Sequence, residues 1–416
     1  MADRPERLRE AHAHLAMLGR SLTMIDLCGC ASAAELLEAF AVRRQAGGAL
    51  QGHGARPEAW TTPQWPSRAE FDDATGDEPA CAWCFDHHAL LANSAALRRV
   101  DLLERGPDDG FVGRDAEGWP TGVLREGAAE YVWNGMPKPT GEERREQLLE
   151  AMRALGAFHE IHDLKAEAWL PPVLSALKDA GPGEQRFVLW PLVEDLDELI
   201  ATMPFWRSDR VRLGGGKIFV DGTLNSRTAW MLHPYADGRP QHPTGMELLT
   251  ARGIESAIRR CDKRGLPLAA HAIGDAAVRS VLDALERVQP KTRGWRIEHA
   301  ELIDEADVPR IARLADEMGL IISQQPCHLL TDIEVLRRAV PDRLPRVLPL
   351  RELIDAGLVP GGSLIFGSDV PIVRANPEDS ILAATRRRRE DMPDTDAITP
   401  EQAITETEAW SAFAAS

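Results

Sequence analysis

From about residue 155 onward, short apolar runs alternate with amphipathic segments, the pattern of repeated βα units. The apolar runs predict strands over 158–162, 186–193, 211–219, 267–271, 295–299, 320–325 and 364–368. Between them, segments such as GDAAVRSVLDALERV and EADVPRIARLADEM place apolar residues at helical spacing. One more strand is read in REAHAHLAML, near the start of the chain, which brings the total to about eight. Eight strands joined by helices predict an α/β fold, a distorted (β/α)8 TIM barrel, in preference to an open sheet. Residues 20–150 break the rhythm with the Trp- and Pro-rich stretch RPEAWTTPQWPSRAEF, a strand around CAWCF and a helix around NSAALRR. The expected organisation is therefore a first-strand region over 1–19, a large insertion subdomain over 20–150 covering the barrel mouth, and the rest of the barrel over 151–416.

Length and charge narrow the classes open to such a chain. Its 416 residues suffice for a large core, and 44% hydrophobic with 27% charged residues is a globular composition. A net charge of -17 argues against nucleic acid, whose phosphates are neutralised by Lys and Arg. The one strongly basic run, Arg386 to Arg389, reads as a solvated helix face because acidic residues follow at once. No apolar stretch is long enough to span a bilayer and MADRPERLRE has no signal-peptide core, so the expectation is a cytoplasmic protein without a membrane partner. Six cysteines in so long a chain do not make a disulfide framework. Cys81 and Cys84, a lone CxxC, read as thiols packed in a strand.

Candidate chemistry lies at strand ends. On an extended strand His12 and His14 share a face, so both imidazoles aim at one point. Lys217 in GGGKIFVDG, His271 in PLAAHAIGD, His299 in WRIEHAEL and Asp369 in LIFGSDVP end apolar strands or sit at their mouths, where barrels place catalytic side chains.

The strings HAIGDAAVRSVLDALE, RIEHAELID, KIFVDGTLNSRTAW, ISQQPCH, FGSDVPI and TPEQA resemble the amidohydrolase superfamily, in its third group, which includes N-substituted formamide deformylases. FDHHALLANSAAL and DAEGWPTGVLREGA extend the resemblance over nearly the whole chain. It implies a hydrolase of carbon–nitrogen bonds other than peptide bonds, cleaving an amide, N-acyl or N-formyl group of a small molecule by metal-bridged hydroxide attack. It also implies two divalent metal ions, usually zinc. His12 and His14 match the first metal's histidines, Lys217 the lysine carboxylated by carbon dioxide that bridges both ions, His271 and His299 the second metal's ligands, and Asp369 the last-strand aspartate. Asp369 then serves as base and acid in turn. His88, Arg227, Gln325 and His328 lie in similar strings and are candidates to contact substrate, Arg227 by gripping a carboxylate.

The chain departs from that pattern in places. The flanking β-sandwich of such relatives is expected to be absent or incomplete here, which leaves a homo-oligomer open. Charged residues precede the first strand, Glu10 stands before AHAH, and Asn225 and His87 occupy positions where glycine is common. Two alternatives follow: a mononuclear deaminase, esterase or decarboxylase of the same superfamily, or a truncated, non-catalytic barrel that binds a ligand or partner.

Overall fold

The computed structural model describes residues 4–104, 111–177 and 184–415. The chain divides into two compact units, one of residues 1–16, 148–238 and 244–416 and the other of residues 17–147 and 239–243.

The first unit holds two all-parallel sheets whose strands lie side by side in chain order. One sheet pairs Arg9–Ala13, Glu160–Leu164, Arg186–Trp190 and Val211–Leu213. The other pairs Gly216–Phe219, Leu268–Ala272, Arg296–His299, Ile321–Gln324 and Leu364–Phe366. Strands such as LAAHA and LIF are buried on both faces, as expected of parallel sheets flanked by helices. The helices Asp275–Val288 and Val308–Met318 turn apolar stripes inward: Val278, Val281, Leu282 and Leu285 in one, Val308, Ile311 and Leu314 in the other. The second helix starts with Pro309 in its first turn and stops at Gly319, whose φ of 67° suits a left-handed cap.

The run over 211–219 is two strands, not one. A Cβ on Gly215 would lie 2.2 Å from the Pro267 carbonyl oxygen, and one on Gly214 would lie 2.4 Å from the Trp190 ring. Only glycine fits there, and the break passes the chain from one sheet to the other. Two isolated parallel bridges connect the sheets, Leu192, just past the strand Arg186–Trp190, with Lys217, and Ala13 with Val370. At the second of these, His14 N–H donates to the Val370 carbonyl (2.9 Å) and Asp369 N–H to that of His12 (2.7 Å). The basic run also differs from expectation. The helix Pro377–Arg386 ends at Arg387, a fully buried residue whose guanidinium donates to the carbonyls of Val347, Leu348 and Ile398. These acceptors, orphaned where the chain turns, give the cation a reason to be inside.

The second unit has a six-stranded sheet in the order Ile25–Asp26, Gln51–Ala55, Cys81–Cys84, Ala89–Ala92, Pro120–Arg125, Val112–Arg114. Its first three strands are parallel and the others antiparallel. Two apolar clusters pack it, one around Trp83, Leu90 and Leu124 and one around Leu36, Phe40 and Phe71. Cys81 and Cys84 are buried free thiols in its third strand. Among the described residues of both units, no helix is long and apolar enough to cross a membrane.

Candidate functional site

The strand Arg9–Ala13 is buried along its length, and its alternation sends Glu10, His12 and, just past its end, His14 to one side. There the carboxylate of Asp369 meets both imidazoles: its Oδ1 is 3.2 Å from His12 Nε2 and 2.9 Å from His14 Nε2. The ring of His299 lies 4.8 Å from that of His12, and that of His271 lies 4.4 Å from His299. Lys217 is fully buried, with its Nζ near the Phe219 ring and without a hydrogen-bond partner. All six side chains are within the first unit.

Alternation alone would not bring His299 here. Glu298 and His299 are neighbours, so on a regular strand one would face away from the other. His299 adopts φ 70° and Ala300 φ 44°, and this left-handed turn at the strand end swings the imidazole toward His12. Asp369 follows its own strand in the same way, at φ 65°. Non-glycine residues held in that region cost about 1–3 kcal/mol each, a strain that clusters where function demands a particular aim.

Burial sets the charge states. It lowers the His12 and His299 pKa values well below the usual imidazole range, with neighbouring cations and imidazoles adding to the effect. It also lowers Lys217 to about 8, with Arg296 and Lys165 assisting and Glu298 and Asp369 opposing. For Asp369, burial pushes upward, but the imidazoles of His12 and His14 hold the carboxyl below its ordinary value. His328 is the reverse of the other histidines: burial would lower it, yet the bond from its Nδ1 to Glu301 Oε1 (3.2 Å) lifts it to about 9.

The donor set suits a divalent cation. Single ligand atoms of His12, His299 and Asp369 lie within 4.8 Å of one another, and so do those of His299, Glu301 and His328. All of these residues are buried, and His14 Nδ1, His299 Nδ1 and Lys217 Nζ are buried without hydrogen-bond partners. The imidazoles of His12 and His299 and the carboxylate of Asp369, turned toward one space, form a site that a cation would satisfy.

The other predicted residues have mixed surroundings. Gln325 Nε2 comes within 3.4 Å of His12 Nδ1, and His328 Nε2 within 3.8 Å of Asp369 Oδ2. Arg227 sits in the same unit, but its fork is engaged by both Asp237 oxygens and by the carbonyls of Leu224 and Asn225. His88 belongs to the second unit, where its Nδ1 is 2.8 Å from Glu126 Oε2.

Sequence reasoning missed several partners. Glu298 contacts His12, Glu10 binds the backbone and side chain of Ser368, and Asp221 accepts from the N–H groups of Trp230, Ile273 and Gly274 beside His271. The available signal was charge inside apolar strands: Arg296 and Glu298 in RIEH, and Glu10 in REAHA.

Comparison with known proteins agrees with this architecture. The model of the amidohydrolase family, Amidohydro_3, matches residues 8–416. The Bacillus subtilis (strain 168) protein described as amidohydrolase YtcJ is 28% identical over 400 residues, covering 91% of this chain and 72% of its own. N-substituted formamide deformylase of Arthrobacter pascens is 27% identical over 380 residues, covering 83% of this chain and 65% of its own. In fold, the chain is similar to an uncharacterized metal-dependent hydrolase from Pyrococcus horikoshii OT3, with a TM-score of 0.74 at 24% identity, over 97% of this chain and 78% of that one. Matched along nearly its whole length, this hydrolase belongs to the amidohydrolase family.

Proposed function

We propose that this chain is a metal-dependent hydrolase that cleaves a carbon–nitrogen bond, a non-peptide amide or an N-acyl or N-formyl group, in a small molecule. The observation that carries the reading is the meeting of His12, His14, His271, His299 and Asp369 in one unit, beside a buried Lys217 amine that acts electrostatically on His12 and His299 and is left without a hydrogen-bond partner. The reading takes the two parallel sheets as halves of a distorted (β/α)8 barrel, supported by the single bridges at both seams.

These six residues would hold two divalent ions, zinc suiting the imidazole-rich set. When bound, such ions supply Lewis acidity and make water a nucleophile near neutral pH. With its pKa lowered to about 8, Lys217 has a larger neutral fraction near pH ~7 than an ordinary lysine. Its nitrogen then attacks carbon dioxide, forming the N–C bond of a carbamate and releasing one proton, and this turns a poor ligand into an anionic oxygen donor. Asp369, kept ionised, takes the proton of the attacking water and returns it to the departing nitrogen. His328, beside Asp369, has Nδ1 on Glu301 and Nε2 on the Ser368 carbonyl (3.3 Å), so it would contact a substrate oxygen only by releasing that carbonyl.

The test is hydrolysis of a panel of N-formyl and N-acyl amines by protein of measured metal content. About two equivalents of metal per chain and loss of turnover on chelation, restored by zinc, are expected. Asp369→Asn is expected to lower kcat by about 10²–10⁴-fold. Undiminished turnover by fully metal-stripped protein would overturn the reading.

A further inference from the structure

Glu298 is a carboxylate with no role in the chemistry above, and it is completely buried. Its Oε2 lies 2.8 Å from His12 Nδ1. Arg296, two residues earlier on the same strand and therefore on the same face, grips it with Nε 2.6 Å from Oε1 and Nη2 3.1 Å from Oε2. The guanidinium is fixed in turn: Nη2 donates to the Ala11 carbonyl (2.8 Å) and to Ser323 Oγ (2.9 Å), Nη1 meets His162 Nδ1 at 2.7 Å, and the plane lies over the Trp190 ring. Contacts from four other strands thus hold one carboxylate in place against one imidazole.

From this geometry we infer that Glu298, braced by Arg296, is a positioning residue that fixes the ring orientation and proton placement of His12. A carboxylate can only accept, so the proton of the neutral imidazole is drawn to Nδ1. The lone pair is then left on Nε2, the atom that faces Asp369 Oδ1 across 3.2 Å. Two acceptors confront one another there, and a cation between them satisfies both. Without Glu298 the Nδ1 atom keeps only the longer contact with Gln325 Nε2 (3.4 Å), and the ring can flip or carry its proton on Nε2 toward Asp369; either change withdraws the lone pair from the site. Carboxylates behind ligating histidines commonly govern affinity in this manner. The inference rests on the reading that His12 holds a metal.

Two variants separate this role from simple loss of folding. Glu298→Gln keeps an acceptor and the side-chain shape but removes the charge. The double variant Arg296→Met with Glu298→Leu removes both charges together, so no buried ion is left alone. Zinc affinity is measured on the metal-free full-length protein by competition with a chromophoric chelator. His12 tautomer is read from long-range ¹H–¹⁵N correlations of the same protein, and apparent unfolding midpoints are recorded alongside. The expected result is affinity weakened about 10-fold in Glu298→Gln and about 100-fold in the double variant. His12 is expected to be Nδ1-protonated in the parent and mixed in the double variant, with folded spectra throughout. Tight zinc binding by the parent together with affinities within twofold in both variants would overturn the inference and leave the proposed function standing. A parent that binds no zinc overturns the proposed function and, with it, this role for Glu298.

Discussion

Asp163 shows what burial does to an acid that has no counter-charge. It is 1% exposed, its Oδ1 accepts only from Leu15 N–H, and its Oδ2 has no hydrogen-bond partner. Burial raises its pKa to about 7, with Glu167 adding to the rise and the Leu15 N–H opposing it. The unfolded chain releases this proton near pH ~3.9. Between those values the folded protein holds one more proton than the unfolded, so stability falls as pH rises, by at most about 4 kcal/mol. Asp163→Asn keeps the acceptor for Leu15 and removes the titration. Relative to the parent, the variant should therefore gain in apparent urea midpoint between pH 5 and pH 8. A difference that stays constant across that interval would show that the carboxyl ionises inside at little cost. Arg387 is the contrasting case, a buried cation held by three carbonyls and the Thr399 hydroxyl, whereas Asp163 has a single donor.

Where the first strand meets the last, one glycine sets how near they come. A Cβ on Gly367 would lie 2.5 Å from His12 N, 2.7 Å from Glu10 Oε1 and 2.9 Å from His12 Cβ; the Glu10 carboxylate could move aside, but the His12 backbone could not. Gly367→Ala is expected to cost about 1–3 kcal/mol and to weaken zinc binding, because the strand that must shift carries both first-strand histidines. Gly127→Ala, in the helix Glu126–Gly135 where a Cβ meets nothing within 4 Å, should instead be neutral or gain about 0.5–1 kcal/mol. Equal effects of the two substitutions on the metal-free protein's unfolding midpoint would refute this account of the seam. Strands of this kind were legible because burial on both faces leaves continuous apolar runs: the run over 267–271 is the strand Leu268–Ala272, and that over 320–325 is Ile321–Gln324. The division at Gly214–Gly215 was not, since it depends on the approach of Pro267 and Trp190 from other elements. The left-handed turn at His299 escaped for a similar reason: a period of two describes regular strand, and the useful imidazole is where that regularity ends.

Distributing the candidate site over nearly the whole length of one unit links metal binding to that unit's global opening. His12 and Asp369 are 357 positions apart, yet they touch, so no single strand can leave without dismantling the cluster. Strand-end position and the resemblance to amidohydrolases singled out the six candidate residues, but their contacts with Glu298, Arg296, Glu10 and Asp221 were hidden because an isolated charge in an apolar run does not name its partner. A ligand that binds only the folded state at 1,000 times its Kd adds about 4.1 kcal/mol of stability. Hydrogen exchange on the full chain, with zinc and after chelation, locates that increment. Amides of Arg9–Ala13, Leu268–Ala272 and Arg296–His299 should exchange faster by up to about 10³-fold when zinc is removed, since their opening breaks the cluster. Amides of Cys81–Cys84 and Ala89–Ala92 belong to the other unit, whose apolar clusters contain none of the six residues, and should keep their protection. Equal loss of protection in both sets would mean that zinc is held by residues beyond the first unit.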